Sequence, residues 1–261
     1  MGQMDGMTAI VTGAGRGIGK AIARVYAAEG AQVAVVSRTP ATVESVASEI
    51  RDAGGEAIGI VCDVGDKTQV QAAVEQTLDR YGSIDVLVNN AQGFGTTTAP
   101  RSSTIYMGVE DVPDDEVEYT FRTGAMATMW GMQAVFPTMR DNGWGKIINF
   151  TSTSGMLGTT GNTPYNMTKE AIRSLSRTAA NEWGQHGINV NLISPTLKTD
   201  AFDAWEADRP EFVKALRESL PMRRLGDPER DGGPLAVFLA THGSDFITGM
   251  TFMLNGGKVM P

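Results

Sequence analysis

The sequence predicts a single α/β domain built on a doubly wound, Rossmann-like parallel sheet. This prediction rests on three features of the 261 residues: short apolar runs alternate with amphipathic helical runs, a glycine-rich turn follows the first apolar run, and no linker or internal repeat divides the chain. Such alternation is typical of βαβ units with helices on both faces of the sheet.

The first half of the chain alternates strand and helix without a break. Strands are predicted over residues 7–12, 32–37, 57–62 and 84–89, and helices over 17–29, 41–53 and 66–81. Glycines end the three helices, because glycine readily adopts the left-handed conformation of a helix C-terminus.

The second half continues the pattern with longer elements. Helices are predicted over residues 114–140 and 164–186, and strands over 146–151, 188–193 and, as a candidate seventh, 251–254. Two stretches break the regularity, residues 91–113 and 196–225. Both follow the carboxyl ends of predicted strands, where ligands bind in open α/β sheets, so we expect functional loops there, the second a candidate lid.

Composition narrows the class of protein. With 22 basic and 30 acidic residues the net charge is −8, and an acidic surface repels phosphate backbones, so we expect no nucleic-acid partner. We find no transmembrane run and no secretory signal, so we expect no membrane partner and a cytoplasmic location. The one cysteine, Cys62, lies in an apolar strand and is predicted to pack. No cluster has metal-ligand spacing, so no metal is expected.

A glycine-rich turn joins the first predicted strand to the first helix. Its residues are Gly13, Gly15, Arg16, Gly17, Ile18 and Gly19, preceded by Thr12. Glycines permit a tight turn, let backbone N–H groups approach a pyrophosphate, and let the helix pack close to the sheet. In this context the motif predicts dinucleotide binding, the alternative being a plain glycine-rich turn.

The end of the second predicted strand indicates which dinucleotide is bound. NAD-binding folds usually place an acid there, against the ribose 2′-hydroxyl, whereas this chain has Ser37 and Arg38. A guanidinium attracts a 2′-phosphate that a carboxylate would repel, and Arg16 would flank it. NADP(H) is therefore favoured, with NAD(H) as the second choice. The alternative is two solvated surface arginines.

A hydroxyl, a phenol and an ammonium are spaced for proton transfer to a carbonyl. Ser152 follows the fifth predicted strand, and Tyr165 and Lys169 lie four residues apart on one helix face. Bringing a tyrosine pKa from ~10 toward ~7 requires about 4 kcal/mol, which a nearby ammonium and a cationic nicotinamide would supply together. Tyr165 would then protonate the carbonyl oxygen as hydride arrives, and Ser152 would polarise that oxygen.

With these elements located, the sequence resembles the short-chain dehydrogenase/reductase family over essentially its whole length. The resemblance is carried by the glycine turn, by Asn89-Asn90-Ala91, and by Ser152, Tyr165 and Lys169. It implies seven parallel strands in the order 3-2-1-4-5-6-7, usually in a homotetramer. It implies hydride transfer between the cofactor and a small-molecule substrate, with Lys169 also holding the nicotinamide ribose.

The resemblance also assigns cofactor contacts outside the glycine turn. The adenine ring would contact Asp63 and Val64, and the nicotinamide carboxamide would contact the segment from Pro195 to Thr199. Asn90 and Ala91 would lie near the cofactor.

Three positions depart from the family pattern. Gln92 replaces the last glycine of Asn-Asn-Ala-Gly, and Thr196 replaces a glycine after Pro195. Gly124 stands where the family normally has an asparagine that helps hold a water beside the lysine. We therefore expect a modified proton relay, a misplaced alignment being the alternative.

Loops after the fourth to sixth predicted strands supply the expected substrate contacts. These residues are Phe94, Ser154, Met156, Leu157, Phe202 and Trp205. They favour an apolar pocket for a medium to bulky ketone or secondary alcohol, the alternative being packing or oligomer contacts.

The sequence also bears on three other functions. A dinucleotide-binding regulator without turnover is favoured by Gly124 and opposed by the intact Ser152, Tyr165 and Lys169. An enoyl reductase is disfavoured because that group spaces its tyrosine and lysine more widely. An extended-type sugar epimerase is disfavoured because this length leaves no room for its larger C-terminal region.

Overall fold

The computed structural model describes residues 2–101, 103–199, 202, 206 and 210–260. Seven strands form one parallel sheet: β1 (Thr8–Thr12), β2 (Gln32–Ser37), β3 (Glu56–Val61), β4 (Val86–Asn89), β7 (Gly145–Phe150), β8 (Ile188–Pro195) and β9 (Thr251–Leu254). Their order is β3-β2-β1-β4-β7-β8-β9, with every neighbouring pair parallel. The predicted fold class and strand order are confirmed.

Helices connect these strands. They are α1 (Gly17–Ala28), α2 (Pro40–Asp52), α3 (Lys67–Tyr81), α4 (Asp114–Phe121), α5 (Ala127–Asn142), α6 (Thr153–Leu157), α7 (Thr163–Trp183), α8 (Pro210–Ser219) and α9 (Gly233–Ala240). Local sequence explains their ends: the Asp66 side chain accepts hydrogen bonds from the first turn of α3, and Gly82 ends α3 in the left-handed conformation.

Two apolar cores lie on opposite faces of the sheet. Alternate residues of β1 point to different faces, so Ala9 and Val11 pack with α1, α2 and α9, whereas Ile10 packs with α3, α5 and α7. Every residue of β7 and nearly all of β8 are buried, as expected for a parallel sheet covered on both sides. The sheet therefore holds the carboxyl ends of its central strands rigidly at one edge.

The structure corrects the prediction in three places. The helix predicted over 114–140 is divided between α4 and α5 by a wide, π-helical turn at Arg122–Met126. The segment 91–113 contains a short hairpin, β5 (Phe94–Gly95) paired with β6 (Pro100–Arg101). The segment 196–225 contains α8, an amphipathic helix that was missed, and its lid role stays a prediction because several of its residues lie outside the described ranges.

None of the helices in the described ranges is long and apolar enough to cross a bilayer.

Candidate active site

A cleft of about 330 Å³ lies beyond the carboxyl ends of β1, β2 and β4. Most residues predicted to hold a dinucleotide line it: Gly13, Arg16, Gly17, Ile18, Ser37, Arg38, Asp63, Val64, Asn90, Ala91 and Thr199. The sheet thus brings together residues as distant in the sequence as Gly13 and Thr199, which are 186 positions apart.

The remaining glycines of the turn serve close packing. A Cβ on Gly15 would stand 2.9 Å from the Ser37 hydroxyl, and one on Gly19 would stand 2.6 Å from the Asn90 amide nitrogen. That amide donates to the Thr12 carbonyl at 2.9 Å, which ties the β4 end to the glycine turn. Neither glycine lines the cleft, so both act by letting the helix and the strand ends approach each other.

The first turn of α1 is suited to an anion. Arg16 precedes it without a capping side-chain hydrogen bond, so the first N–H groups lack a protein partner from that residue. Gly17 and Ile18 line the cleft at this end, where the helix dipole is positive. Gly17 has φ +55°, and a Cβ there would meet nothing nearer than 3.9 Å, which leaves an open approach to the backbone. These residues fit a pyrophosphate.

Arg38 is held by a residue that sequence reasoning missed. Its Nη1 donates a hydrogen bond of 2.8 Å to the hydroxyl of Tyr119, a buried side chain of α4. The two residues are 81 positions apart, so no local pattern predicts the contact. The guanidinium is thereby held at the cleft beside Ser37.

The three predicted catalytic side chains meet where β7, α6 and α7 adjoin. The Lys169 ammonium lies 5.4 Å from the Tyr165 ring centroid and donates to the Phe150 carbonyl at 3.0 Å. Ser152 caps α6, accepting from the Ser154 N–H at 3.1 Å, and its hydroxyl also hydrogen-bonds the phenol. The Thr151 hydroxyl donates to the Lys169 carbonyl at 2.9 Å and fixes α7 against the strand end.

Burial sets the protonation of this cluster in the cofactor-free protein. It raises the pKa of Tyr165, and the Ser152 hydrogen bond opposes that rise. Burial lowers the pKa of Lys169 to about 7, because little solvent reaches its ammonium. In the cofactor-free protein burial therefore disfavours the charged forms of both Tyr165 and Lys169.

Replacing Lys169 by methionine is expected to stabilise the cofactor-free protein by about 1 kcal/mol at pH 7 while abolishing activity. A pKa of about 7 lies below that of an unfolded lysine, so the unfolded state holds more protons between pH 7 and about 10. Ionisation of Lys169 should therefore make the free energy of unfolding of the wild type increase with pH over that range. This contribution should be absent in Lys169→Met. Urea titrations at several pH values measure this. Equal pH slopes in the two proteins would contradict it.

The predicted substrate residues lie in different surroundings, and their contact with substrate stays a prediction. The Phe94 ring lies 5.5 Å from that of Tyr165 and also lines the cleft. The Ser154 hydroxyl is engaged, donating to Asn166 at 2.7 Å and accepting from Asn162 at 3.2 Å. Met156 and Leu157 are exposed beyond it. Phe202 is half-buried, and Trp205 lies outside the described residues.

The segment after β6 also reaches this region. The Thr104 hydroxyl donates to the Asn162 side chain at 2.8 Å, and the Met107 N–H donates to the Gly161 carbonyl at 3.0 Å. Between them Ile105 and Tyr106 stay half exposed. The sequence singled out this segment as a loop but not these contacts.

Other predicted features are simple to place. Cys62 is buried, and burial raises its pKa to about 12, which disfavours a reactive thiolate. Within the described ranges no group of three or more His, Cys, Asp or Glu residues could hold a metal ion.

Comparison with known proteins agrees with this geometry. A family model described as enoyl-(acyl carrier protein) reductase matches residues 13–258. The chain belongs to the short-chain dehydrogenase/reductase family. The match spans both the cleft and the Ser152, Tyr165 and Lys169 cluster of this short-chain dehydrogenase/reductase.

Three of its relatives in the family are named as dehydrogenases of different substrates. A 12α-hydroxysteroid dehydrogenase from Clostridium sp. is 34% identical, over 98% of each chain. A sorbitol dehydrogenase from Cereibacter sphaeroides is 36% identical, over 99% of each. The crystal structure of a gluconate 5-dehydrogenase from Burkholderia cenocepacia, in complex with NADP and tartrate, is 32% identical and has a TM-score of 0.88, covering 98% of this chain and 96% of that one.

Proposed function

We propose that this short-chain dehydrogenase/reductase transfers a hydride between NADP(H) and a ketone or secondary alcohol. One observation carries the proposal: Phe94 both lines the dinucleotide cleft and contacts the Tyr165 ring, so the phenol lies beside the cleft. A proton donor at the end of a dinucleotide cleft is what carbonyl reduction requires.

The polar groups along the cleft support NADP(H). Arg38, held by Tyr119, and Ser37 offer a cation and a hydroxyl to a 2′-phosphate, and Arg16 adds a second cation at the cleft. The first turn of α1 binds the pyrophosphate, and Asp63 and Val64 bind the adenine ring. The gluconate 5-dehydrogenase with bound NADP is consistent with this choice.

The protein's own groups then move the proton. Nicotinamide, when bound, supplies or accepts the hydride and carries a positive charge in its oxidised form. Tyr165 donates its phenolic proton to the carbonyl oxygen in reduction and removes the alcohol proton in oxidation. Ser152 donates a hydrogen bond to the same oxygen, and the Lys169 ammonium lowers the cost of the phenolate.

The side chains near the site favour an apolar substrate of medium to large size. Phe94 lies against the phenol, and Ile105, Tyr106, Met156 and Leu157, on segments that adjoin α7, keep much of their surface exposed. Exposed apolar side chains beside a catalytic group favour an apolar ligand over a polyol. The hydroxysteroid dehydrogenase is named for a substrate of this class, whereas the sorbitol and gluconate 5-dehydrogenases are named for polar ones, so the choice rests on the exposed side chains. Assembly as a homotetramer and a cytoplasmic location stay predictions.

A panel of ketones tests the proposal. We expect oxidation of NADPH, followed by its absorbance, with cyclic and aromatic ketones turned over faster than open-chain polyhydroxy ketones. Saturated ketones, enoyl thioesters and sugars are compared side by side. Binding of NADPH without turnover of any compound would indicate a dinucleotide-binding regulator, and turnover of enoyl thioesters alone would indicate an enoyl reductase.

A further inference from the structure

Gln92, in the loop after β4, has a side-chain amide of fixed orientation. Its Nε2 donates to the Gly93 carbonyl at 2.8 Å and to the Thr120 carbonyl at 3.1 Å. Turning the amide over would set its oxygen against two carbonyl oxygens, so the orientation shown is the stable one. Oε1 is consequently directed away from these carbonyls, and it is buried without a hydrogen-bond partner among the described residues.

Gly124 leaves room for this carboxamide. A Cβ on Gly124 would stand 2.6 Å from Gln92 Oε1 and would also collide with the methyl group of Thr168. Thr168 cannot simply rotate away, because its hydroxyl donates to the Pro164 carbonyl at 2.7 Å. The wide turn at Arg122–Met126 places the glycine here. The Gln92 carboxamide and the Thr168 methyl group of α7 therefore both pack against Gly124, a residue without a side chain.

The α7 segment at this contact is the catalytic one. Thr168 lies between Tyr165 and Lys169 in the sequence, so the Gln92 oxygen lies against the turn that carries both. The Lys169 ammonium has three donors, and Phe150 O is its one hydrogen-bond acceptor within the described ranges. Buried polar groups generally find partners, often through an ordered water. The unpartnered Gln92 oxygen therefore lies against the helical turn that carries the Lys169 ammonium, a donor with one acceptor in the described part of the chain.

We propose that Gln92 is a positioning residue of this site: its Oε1 accepts a hydrogen bond from a water that also accepts one from the Lys169 ammonium, and Gly124 is required because any side chain there displaces the carboxamide. This inference rests on the proposed function for its kinetic part. The water is oriented by Oε1 so that its own oxygen faces the ammonium, which stabilises the charged lysine.

Gln92→Met tests this with little change in side-chain volume. Losing the oxygen should destabilise the ammonium, so the pKa of Lys169, measured by NMR of its labelled side chain in the cofactor-free protein, should fall by about half a unit or more. With cofactor and alcohol substrate, kcat should fall about tenfold, and the acidic pKa in the pH dependence of kcat should rise. Gln71→Met, at an exposed position of α3, is the matched control.

A second set of variants tests the role of Gly124. Thr168→Ser removes the obstructing methyl group and keeps the hydroxyl bond to Pro164. Adding Gly124→Ala to it leaves Gln92 Oε1 as the atom that must move. We expect this double variant to reproduce the Gln92→Met values for kcat and for the lysine pKa. Adding Gln92→Met to the double variant should then change neither, because the same contact is already lost.

The outcomes separate this inference from the proposed function. A wild type that turns over no substrate overturns the proposed function, while the lysine titration still decides the role of Gln92. Wild-type turnover combined with an unchanged lysine pKa and pH profile in Gln92→Met overturns the inference alone. Additive losses in the triple variant would show that Gly124 acts independently of Gln92. Melting temperatures of each variant identify any loss that arises from unfolding.

Discussion

Replacing Tyr165 by phenylalanine should lower kcat for ketone reduction by at least about 10³-fold, while the Kd for NADPH changes by less than about twofold. The ring and its contact with Phe94 at 5.5 Å are kept, so only the transferable proton is lost. Steady-state rates and a fluorescence titration with NADPH measure the two quantities. This pattern is expected when a group acts on the transition state and does not contribute to cofactor binding.

Tyr81→Phe is the matched control for this change. Tyr81 is the last residue of α3, and its hydroxyl has no hydrogen-bond partner among the described residues. Loss of this hydroxyl should leave kcat and the Kd for NADPH near the wild-type values. Retained turnover in Tyr165→Phe would remove the phenol from the reaction. A parallel loss of NADPH affinity would instead place it in the cofactor site.

Replacing Arg38 by aspartate should lower the preference for NADPH over NADH, measured as the ratio of kcat/KM values, by at least about 100-fold. The change removes a charge-assisted hydrogen bond to the 2′-phosphate and introduces a repulsive carboxylate, which is also a better partner for the 2′-hydroxyl of NADH. The effect should weaken as salt concentration rises, because the site is partly open to solvent.

Two further variants show whether Arg38 acts at the site. Tyr119→Phe removes the acceptor that holds the guanidinium at 2.8 Å, so it should shift the same ratio in the same direction by about 3- to 10-fold. Arg177→Asp, on an exposed position of α7, makes the same change of charge without touching the cleft. An equal response to Arg38→Asp and Arg177→Asp would mean that net charge, and not a local contact, sets the preference.

Much of the fold was predictable because its signals are local. The alternation of strands and helices, the glycine turn and the strand at Thr251–Leu254 all follow from patterns within a dozen neighbouring residues. The prediction was wrong where a tertiary contact overrode the pattern. The periodicity of 114–140 continues through Arg122–Met126, yet the chain there widens into a π-helical turn packed against Gln92 and Thr168.

In the candidate site, too, some features follow from local sequence and others depend on tertiary packing. The four-residue spacing of Tyr165 and Lys169 follows from the helix repeat, and the position of Ser152 follows from the strand end before it. The engagement of the Ser154 hydroxyl by Asn162 and Asn166 was not predictable, because it depends on how α6 settles on α7. The Ser154 hydroxyl is therefore already hydrogen-bonded within the protein, and its contact with substrate stays a prediction.

The sequence by itself determined the class of fold, and it predicted the end of the sheet at which ligands would bind and the candidate proton-transferring groups, because each depends on near neighbours along the chain. Only the tertiary structure decided that Tyr119 holds Arg38, 81 positions away. The same is true of the Gln92 carboxamide, which lies over Gly124, 32 positions away. Such contacts depend on how the elements pack, and packing is a property of shape that no local pattern encodes.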